Sequence, residues 1–392
     1  MKRILYLSFY FEPDLCAGSF RNTPLAKELA NAVGDEGEVH VITTYPNRYH
    51  SFKQDALLFE TQDNLLIHRI KIPSHKSGII DQARSFVTFF IGTFKISRKN
   101  KYDLVFASSS RLFTAFLGKL LSVLKHVPLY LDIRDIFVDT INDVIHNKIF
   151  RFLGLPFLRL IEHFTFSKAV HINLISQGFE SYFKRYTKPG YSFFTNGIDP
   201  DFIRDKQQIG NSDNQFKNIV YAGNIGAGQG LQNIIPQLVK TLFPDYRFTI
   251  IGDGGNRIIL EYELKKNGLL DLVSFIPPMK RDDLIKIYES ADFLFLHLNK
   301  YPAFEKVLPS KLFDYAAYDV PILAGVDGYA RSFIQKNIPN SIVFEPNNPE
   351  ELITKLSNYN YQRIHRNHFI NSFSREKINK QMAKSILQYA GM

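Results

Sequence analysis

The sequence predicts an α/β fold: two doubly wound domains, each a parallel sheet covered by helices, facing each other across a cleft. Three observations predict it. The chain has 392 residues, which at about 100–200 residues per domain leaves room for two cores. Short apolar runs rich in β-branched residues alternate with helical patterns, the signature of parallel α/β units. The alternation then restarts after a polar stretch at 205–215 whose composition is that of a linker.

The elements follow in order. Strands are expected at 3–9, 39–44, 104–107, 129–133 and 170–175, with helices at 25–33 and 112–124 between them. After the junction Asn196-Gly197-Ile198-Asp199-Pro200, strands are expected at 218–222, 247–252, 272–275, 293–296 and 321–324. A last amphipathic helix is expected at 375–389. The domains are therefore read as 1–198 and 199–392, with the terminal helix free to pack back on the first domain. The opening, Met1-Lys2-Arg3 and an apolar run to Phe11, imitates a signal peptide, and Leu15-Cys16 imitates a lipoprotein site. Glu12 and Asp14 follow at once, and Pro13 and Leu15 are wrong for lipoprotein cleavage, so a buried first strand is the better reading.

Composition narrows the function. With 45% hydrophobic and 22% charged residues, 22 Gly and 18 Pro, the chain is neither collagenous, coiled-coil nor wholly disordered. Its one cysteine, Cys16, excludes an intrachain disulfide and any multi-cysteine zinc site, and points to a reducing compartment. The formal charge of +10 calls for anionic partners. Between Leu66 and Tyr130 eleven Lys and Arg face two acids, Asp81 and Asp103. The longest charge-free apolar run beyond the opening, 85–94, is half of what a bilayer requires.

In open parallel sheets, ligands bind beyond the carboxyl ends of strands, where glycine turns expose amides and helix N-termini favour anions. Four such turns stand out: Ala17-Gly18-Ser19, the run from Gly223 to Gly230, Gly252-Asp253-Gly254-Gly255, and Ala324-Gly325. None is a Walker A loop, and none has the spacing of a nicotinamide fingerprint.

These residues in this order resemble the retaining glycosyltransferases of family 4, which have the GT-B fold of two facing Rossmann-like domains. The resemblance covers nearly the whole chain. It rests on Phe11-Glu12-Pro13, Ala17-Gly18-Ser19-Phe20-Arg21, the Asn196-Gly197-Ile198-Asp199 junction, and Gly223-Asn224-Ile225-Gly226 with Gln229-Gly230-Leu231. Ile251-Gly252-Asp253-Gly254, Ala291-Asp292 and the stretch from Leu308-Pro309-Ser310-Lys311 to Asp314-Tyr315-Ala316-Ala317 complete it. Departures are equally plain. The family's pair of glutamates falls on Lys306 and Asp314, and its Arg and Lys of the second-domain turn fall on Asn224 and Gln229. The Gln-Gly-Leu turn with the Pro-Ser-Lys segment resembles a subgroup, the bacterial L-fucosamine transferases of the WbuB kind.

The resemblance implies transfer of a sugar from a nucleotide-diphosphate donor, a UDP-sugar by preference, with retention and without a metal or resident cofactor. Positive potential at the departing diphosphate is the main chemical requirement. Lys311 and Lys306 are the candidate cations, aided by amides at Pro309-Ser310-Lys311, while Asp314 would bind ribose hydroxyls or simply be a solvated helix carboxylate. Asn224, Gly226, Gln229 and Ser310 complete the donor set; Gly252 and Asp253 would line the base pocket. Gly18 would lie opposite the donor phosphates, and Arg21 would reach a phosphate or cap the following helix.

At the end of a first-domain strand, Asp132-Ile133-Arg134-Asp135 is open to two readings. Either Asp132 or Asp135 accepts the acceptor's proton while Arg134 holds an anionic group, or Arg134 pairs with one of them to orient the loop. In this family the leaving phosphate can take the proton, so a protein base is not required. Eleven histidines show no metal spacing; His297, ending a strand, either lines the cleft or is structural.

Around 84–99 a helix would place Arg84, Lys95, Arg98 and Lys99 on one side and Phe86, Phe89, Phe90 and Phe94 mostly on the other. Such a helix either lies in an anionic membrane interface or turns its Phe stripe into the core. A second basic-aromatic patch is read at 149–159. The membrane reading makes the acceptor a lipid-linked saccharide handled at the inner face of the cytoplasmic membrane, within bacterial surface polysaccharide assembly; the competing one is a soluble saccharide acceptor. A nucleic-acid-binding module would use the same basic stripe but leaves the second half's glycine turns unexplained, so nucleic acid is not expected as a partner.

Overall fold

The computed structural model describes residues 1–47, 55–73, 79–109, 112–144, 152, 154–203 and 215–392. Most of the expected linker and, apart from Phe152, the run 149–153 lie outside the described residues. The chain forms two compact units, Met1–Asn196 together with Glu376–Met392, and Gly197–Arg375.

The first unit is built on an eight-stranded sheet: β1 (Lys2–Ser8), β2 (Gly37–Thr44), β3 (Phe59–Gln62), β4 (Leu65–Ile70), β5 (Leu104–Ser109), β6 (Leu129–Ile133), β7 (His171–Leu174) and β8 (Gly190–Ser192). Their spatial order is β3-β4-β2-β1-β5-β6-β7-β8. All pairs are parallel except the β3–β4 hairpin, which turns at Asp63 with φ of 47°. The second unit holds six parallel strands: β9 (Lys217–Ala222), β10 (Tyr246–Ile251), β11 (Val273–Ile276), β12 (Phe293–His297), β13 (Ile322–Gly325) and β14 (Ser341–Phe344). Here the order is β11-β10-β9-β12-β13-β14.

Strands covered on both faces need apolar side chains at successive positions, which is why β1, β5 and β6 read as unbroken apolar runs. In the second unit one face of the sheet packs through Val220, Leu294 and Ala324. The other packs through Ile219, Tyr221, Phe293 and Phe295. Right-handed crossovers then sort the helices of the first unit by direction of travel across the sheet. Helix Ala17–Val33 and the terminal helix Arg375–Ala390 share one face, where Leu25, Leu29, Met382 and Ile386 meet Ile4, Tyr6 and Tyr130. Helices Ile79–Ser97, Leu112–Lys125 and Leu155–Phe166, which carry the chain in the opposite direction, cover the other face.

Two expectations about helices need correction. The first helix begins at Ala17, eight residues before the predicted start, and runs through Pro24. Its early turns are held by tertiary bonds, including Tyr6 Oη to Asn22 Oδ1 at 2.8 Å, so Gly18 lies in a helical turn and not in a loop. The aromatic stripe of Ile79–Ser97 faces inward: Phe89 is fully buried and meets the Phe9 ring at 5.3 Å, and Phe86 meets Phe113 at 5.2 Å. Of the four phenylalanines only Phe94 is exposed.

Candidate functional site

In the second sheet the connections run outward in both directions from β9, so the crevice beyond its carboxyl end is the topological switch point. Backbone meets backbone there. Gly223 and Gly252 adopt φ of 143° and 135°, and a Cβ on Gly252 would lie 1.9 Å from the Gly223 carbonyl oxygen. A Cβ on Gly223 would lie 1.6 Å from Lys311 Nζ. The Gly252→Ala variant is therefore expected to destabilise the second unit by about 1–3 kcal/mol, measured as a lower urea midpoint for that unit's unfolding.

Lys311 opens the short helix Lys311–Ala316 and points back under the β9 turn. Its ammonium donates to Tyr221 Oη at 3.1 Å and sits 4.3 Å from the centre of that ring. Burial pushes its pKa down to about 7, against the pull of the Asp314 charge. A lysine poised near neutrality beneath this turn gains most from an anionic ligand, because the anion restores the charge that burial disfavours. Ser310 precedes it without capping the helix through its side chain.

The turn itself is braced from within. Gln229 Oε1 accepts from Asn224 Nδ2 at 2.8 Å and from the Gly226 amide at 3.3 Å. Tyr221 Oη donates to the Asn224 carbonyl at 2.5 Å. The two uncharged residues at the family's cationic positions thus hold the loop's shape, and the positive charge comes from Lys311. Asp253 accepts the Gly254 amide at 2.8 Å on its side chain and the Ile225 amide at 2.9 Å on its carbonyl, locking the β10 turn to the β9 turn.

His297 is fully buried. The Asn347 amide donates to its Nε2 at 3.0 Å, so Nδ1 carries the hydrogen and donates to the Gln229 carbonyl at 2.6 Å. Burial lowers its pKa to about 4, making it a neutral brace for the glycine turn; of the two readings of His297, the structural one is observed.

Asp314 lies one helical turn from Lys311. Its Oδ1 is buried without a hydrogen bond among the described residues, with Arg375 Nη2 at 4.0 Å. Burial raises its pKa to about 6, offset by Arg375 and Arg281. Arg375 in turn donates to Asp199 Oδ2 at 2.5 Å, and Arg281 donates to the same oxygen at 2.8 Å. Lys306 is half-buried at the end of the 3-10 turn Pro302–Lys306.

The first unit has its own strand-end cluster. Arg21 is 3% exposed and grips Asp132 through Nε at 2.8 Å and Nη2 at 2.7 Å, with further bonds to the Thr195 and Phe194 carbonyls. Asp132, wholly buried, also accepts from Ser108 Oγ at 2.9 Å and Asn173 Nδ2 at 2.8 Å. Burial alone would raise this carboxyl, but the Arg21 charge and hydrogen bonds outweigh it and hold it below the ordinary value. These are corrections: Arg21 neither caps a helix nor presents itself to a phosphate, and Asp132 is enclosed too completely to take a proton from an acceptor. The expected Arg134 pairing with Asp132 is replaced by the Arg21 pair, since Arg21 approaches from the helix at bidentate geometry.

Arg134 remains half-buried over the first turn of helix Ala17–Val33: a Cβ on Gly18 would lie 3.2 Å from its Nη1. Its Nε has no hydrogen-bond partner among the described residues. Burial, then the nearby Arg21 charge, lowers its pKa. Asp135 accepts from Thr140 Oγ1 at 3.2 Å, and burial raises its pKa to about 6. Among the described residues no group of three or more His, Cys, Asp or Glu is arranged to hold a metal.

The structure thus gathers Gly223, Asn224, Gly226, Gln229, Gly252, Asp253 and Lys311 in the second unit, and Gly18, Arg134 and Asp135 in the first. Sequence reasoning missed Tyr221 and Arg375. A tyrosine one residue before the strand end was a signal for the first; Arg375 offered none, its partner Asp199 being 176 positions away.

Two units with these parallel-sheet orders define the α/β fold of the GT-B glycosyltransferases. Residues 202–374 match the sequence model of the family described as glycosyl transferases group 1. Sucrose-phosphate synthase from Thermosynechococcus elongatus superimposes with a TM-score of 0.77 at 14% identity, over 99% of both chains. Anabaena HepE, solved in complex with UDP-glucose, gives 0.69 at 15% identity over 99% of this chain and 100% of its own. In sequence, the chain is similar to the Escherichia coli K12 protein named as a colanic acid biosynthesis glycosyl transferase, WcaI. It is 29% identical over 165 residues, which are 42% of this chain and 40% of WcaI.

Proposed function

We propose that this chain is a retaining glycosyltransferase that moves a sugar from a UDP-sugar donor to a saccharide acceptor in bacterial surface polysaccharide assembly. The observation that carries the reading is the buried Lys311 ammonium beneath the Gly223 turn at the sheet's switch point. There the ammonium neutralises charge growing on the diphosphate as the anomeric bond breaks. Asp314, whose Oδ1 makes no hydrogen bond among the described residues, accepts from ribose hydroxyls. The Gly252-Asp253 turn lines the base. The acceptor hydroxyl attacks on the face the diphosphate leaves, and its proton passes to the departing phosphate oxygen. In the first unit Arg134 holds an anionic group of the acceptor, and Asp135, which accepts from Thr140, orients the loop beside it. No cofactor besides the nucleotide sugar takes part in this reading.

A lipid-linked acceptor at the inner face of the cytoplasmic membrane belongs to the same proposal. So does the likeness to L-fucosamine transferases of the WbuB kind, which rests on Gln229-Gly230-Leu231 and Pro309-Ser310-Lys311. The test is UDP release from a panel of UDP-sugars, each offered with lipid-linked and soluble saccharides. Acceptor-dependent release with an α- or β-configured product matching the donor supports it. Absence of UDP binding at millimolar concentration overturns it; turnover confined to soluble saccharides removes the lipid-linked part.

A further inference from the structure

Turning Phe86, Phe89 and Phe90 of Ile79–Ser97 inward leaves a second apolar stripe outside. Val87, Ile91 and Phe94 are 55%, 48% and 40% exposed. At about 100° per residue they fall within about 60° of one another. Two helices along, Leu155–Phe166 repeats the pattern with Phe157, Leu160 and Phe164 at 61%, 65% and 41% exposure. The intervening helix Leu112–Lys125 joins them: Phe113 meets Phe86 at 5.2 Å, and Phe116 meets Phe164 at 5.9 Å. All three helices cover the same face of the first sheet, so the two stripes lie on one outer surface of that unit. Soluble monomers rarely leave so many large apolar side chains together.

The fully exposed charges on these helices and at their ends have one sign. Arg84 and Lys95 are exposed on helix Ile79–Ser97, Arg98 and Lys99 just after it, and Arg159 and Lys168 on and just after helix Leu155–Phe166. None of the six is in an ion pair among the described residues. Of the acids on these helices, Glu162 is buried and Asp81 half-buried. Among the described residues no helix is long and apolar enough to cross a membrane.

We infer that this three-helix face docks on an anionic lipid bilayer, the apolar stripes entering the headgroup boundary and the unpaired cations meeting lipid phosphates. Charge complementarity selects the occupant: a purely apolar partner would leave six cations unanswered, and a nucleic acid would leave the stripes exposed. The inference deepens the transferase reading by placing the acceptor-binding unit at a bilayer; it rests on that reading for its purpose and is tested apart from it.

The experiment is cosedimentation of the full chain with vesicles of phosphatidylcholine alone or with about one third phosphatidylglycerol. Binding is expected only with the anionic lipid, falling at least about tenfold when salt is raised to about 0.5 M. Two variants, Ile91→Ser with Phe94→Ser, and Arg98→Glu with Lys99→Glu, are each expected to lose at least about tenfold. Phe157→Ser with Leu160→Ser reports independently from the other helix. Thermal stabilisation by UDP, measured on the same samples, is expected to be unchanged. Equal binding to both vesicles, no binding to either, or variants that bind like the wild type would overturn the surface while leaving the UDP reading intact. Self-association abolished by the serine variants, or RNA binding without vesicle binding, would also overturn it. Loss of UDP stabilisation in the wild type would instead count against the transferase reading.

Discussion

Lys311→Ala lowers turnover by about two to three orders of magnitude, the expected loss for one charge-stabilising donor removed from a site where negative charge develops. The size follows from its surroundings. The ammonium is buried under Gly223 with, among the described residues, only Tyr221 as a hydrogen-bond partner, and Asn224 and Gln229 bring no charge to the turn. A Lys311→Met variant keeps the stem over the Tyr221 ring and so separates lost charge from lost packing. It is expected to be as impaired as alanine while being at least as stable as the wild type in urea, because the cost of burying the ammonium is removed. Affinity for UDP carries a pH signature as well. In the free protein Lys311 titrates at about 7, and UDP is fully ionised above that point. The association constant therefore falls with rising pH, by up to about tenfold per unit, in the wild type and not in Lys311→Met. Stability of the unliganded protein moves the other way. The unfolded chain holds this proton up to the ordinary value of 10.5, so between about 7 and that value folding gains with pH.

The second large effect is structural and belongs to the other unit. Arg21→Ala or Asp132→Ala destabilises the first unit by about 3–5 kcal/mol, because each strands a buried charge whose partner is gone. Asp132 is wholly buried and ties β5, β6, β7 and the first helix together through Ser108, Asn173 and Arg21. Its folded pKa is depressed below 3.8. Its contribution is therefore present above that value and lost as acid takes the pH down through the folded pKa. In Asp132→Asn that acid-sensitive component disappears. Urea unfolding followed by circular dichroism measures the loss, and the transition shifted by UDP is expected to stay where it was. A catalytic Asp132 would show the reverse: intact folding with lost turnover.

The difference between these two residues marks what the sequence could convey. Parallel strands buried on both faces produce unbroken apolar runs, so β1, β5, β6, β9 and β12 were legible from hydrophobicity alone. The β3–β4 hairpin was not, since Phe59–Gln62 and Leu65–Ile70 mix charged and apolar residues at an edge. Lys311 stood out through local context, a Pro-Ser-Lys entry to a helix just beyond a strand. Arg21 also sat in a recognisable segment, but its role was misread because its partner is 111 residues away and only the register of β6 brings the two together. The aromatic stripe of Ile79–Ser97 shows the same limit. Helical spacing identifies two faces of a helix but does not say which one the sheet will cover.

Everything proposed for the second unit depends on a diphosphate meeting the Lys311 ammonium. The most direct measurement is calorimetric titration of UDP at pH 8 in two buffers of different ionisation enthalpy. With Lys311 at about 7, about nine tenths of a proton is expected to be taken up per UDP bound, and none in Lys311→Met. Binding without proton uptake, or uptake that persists in the methionine variant, would contradict it.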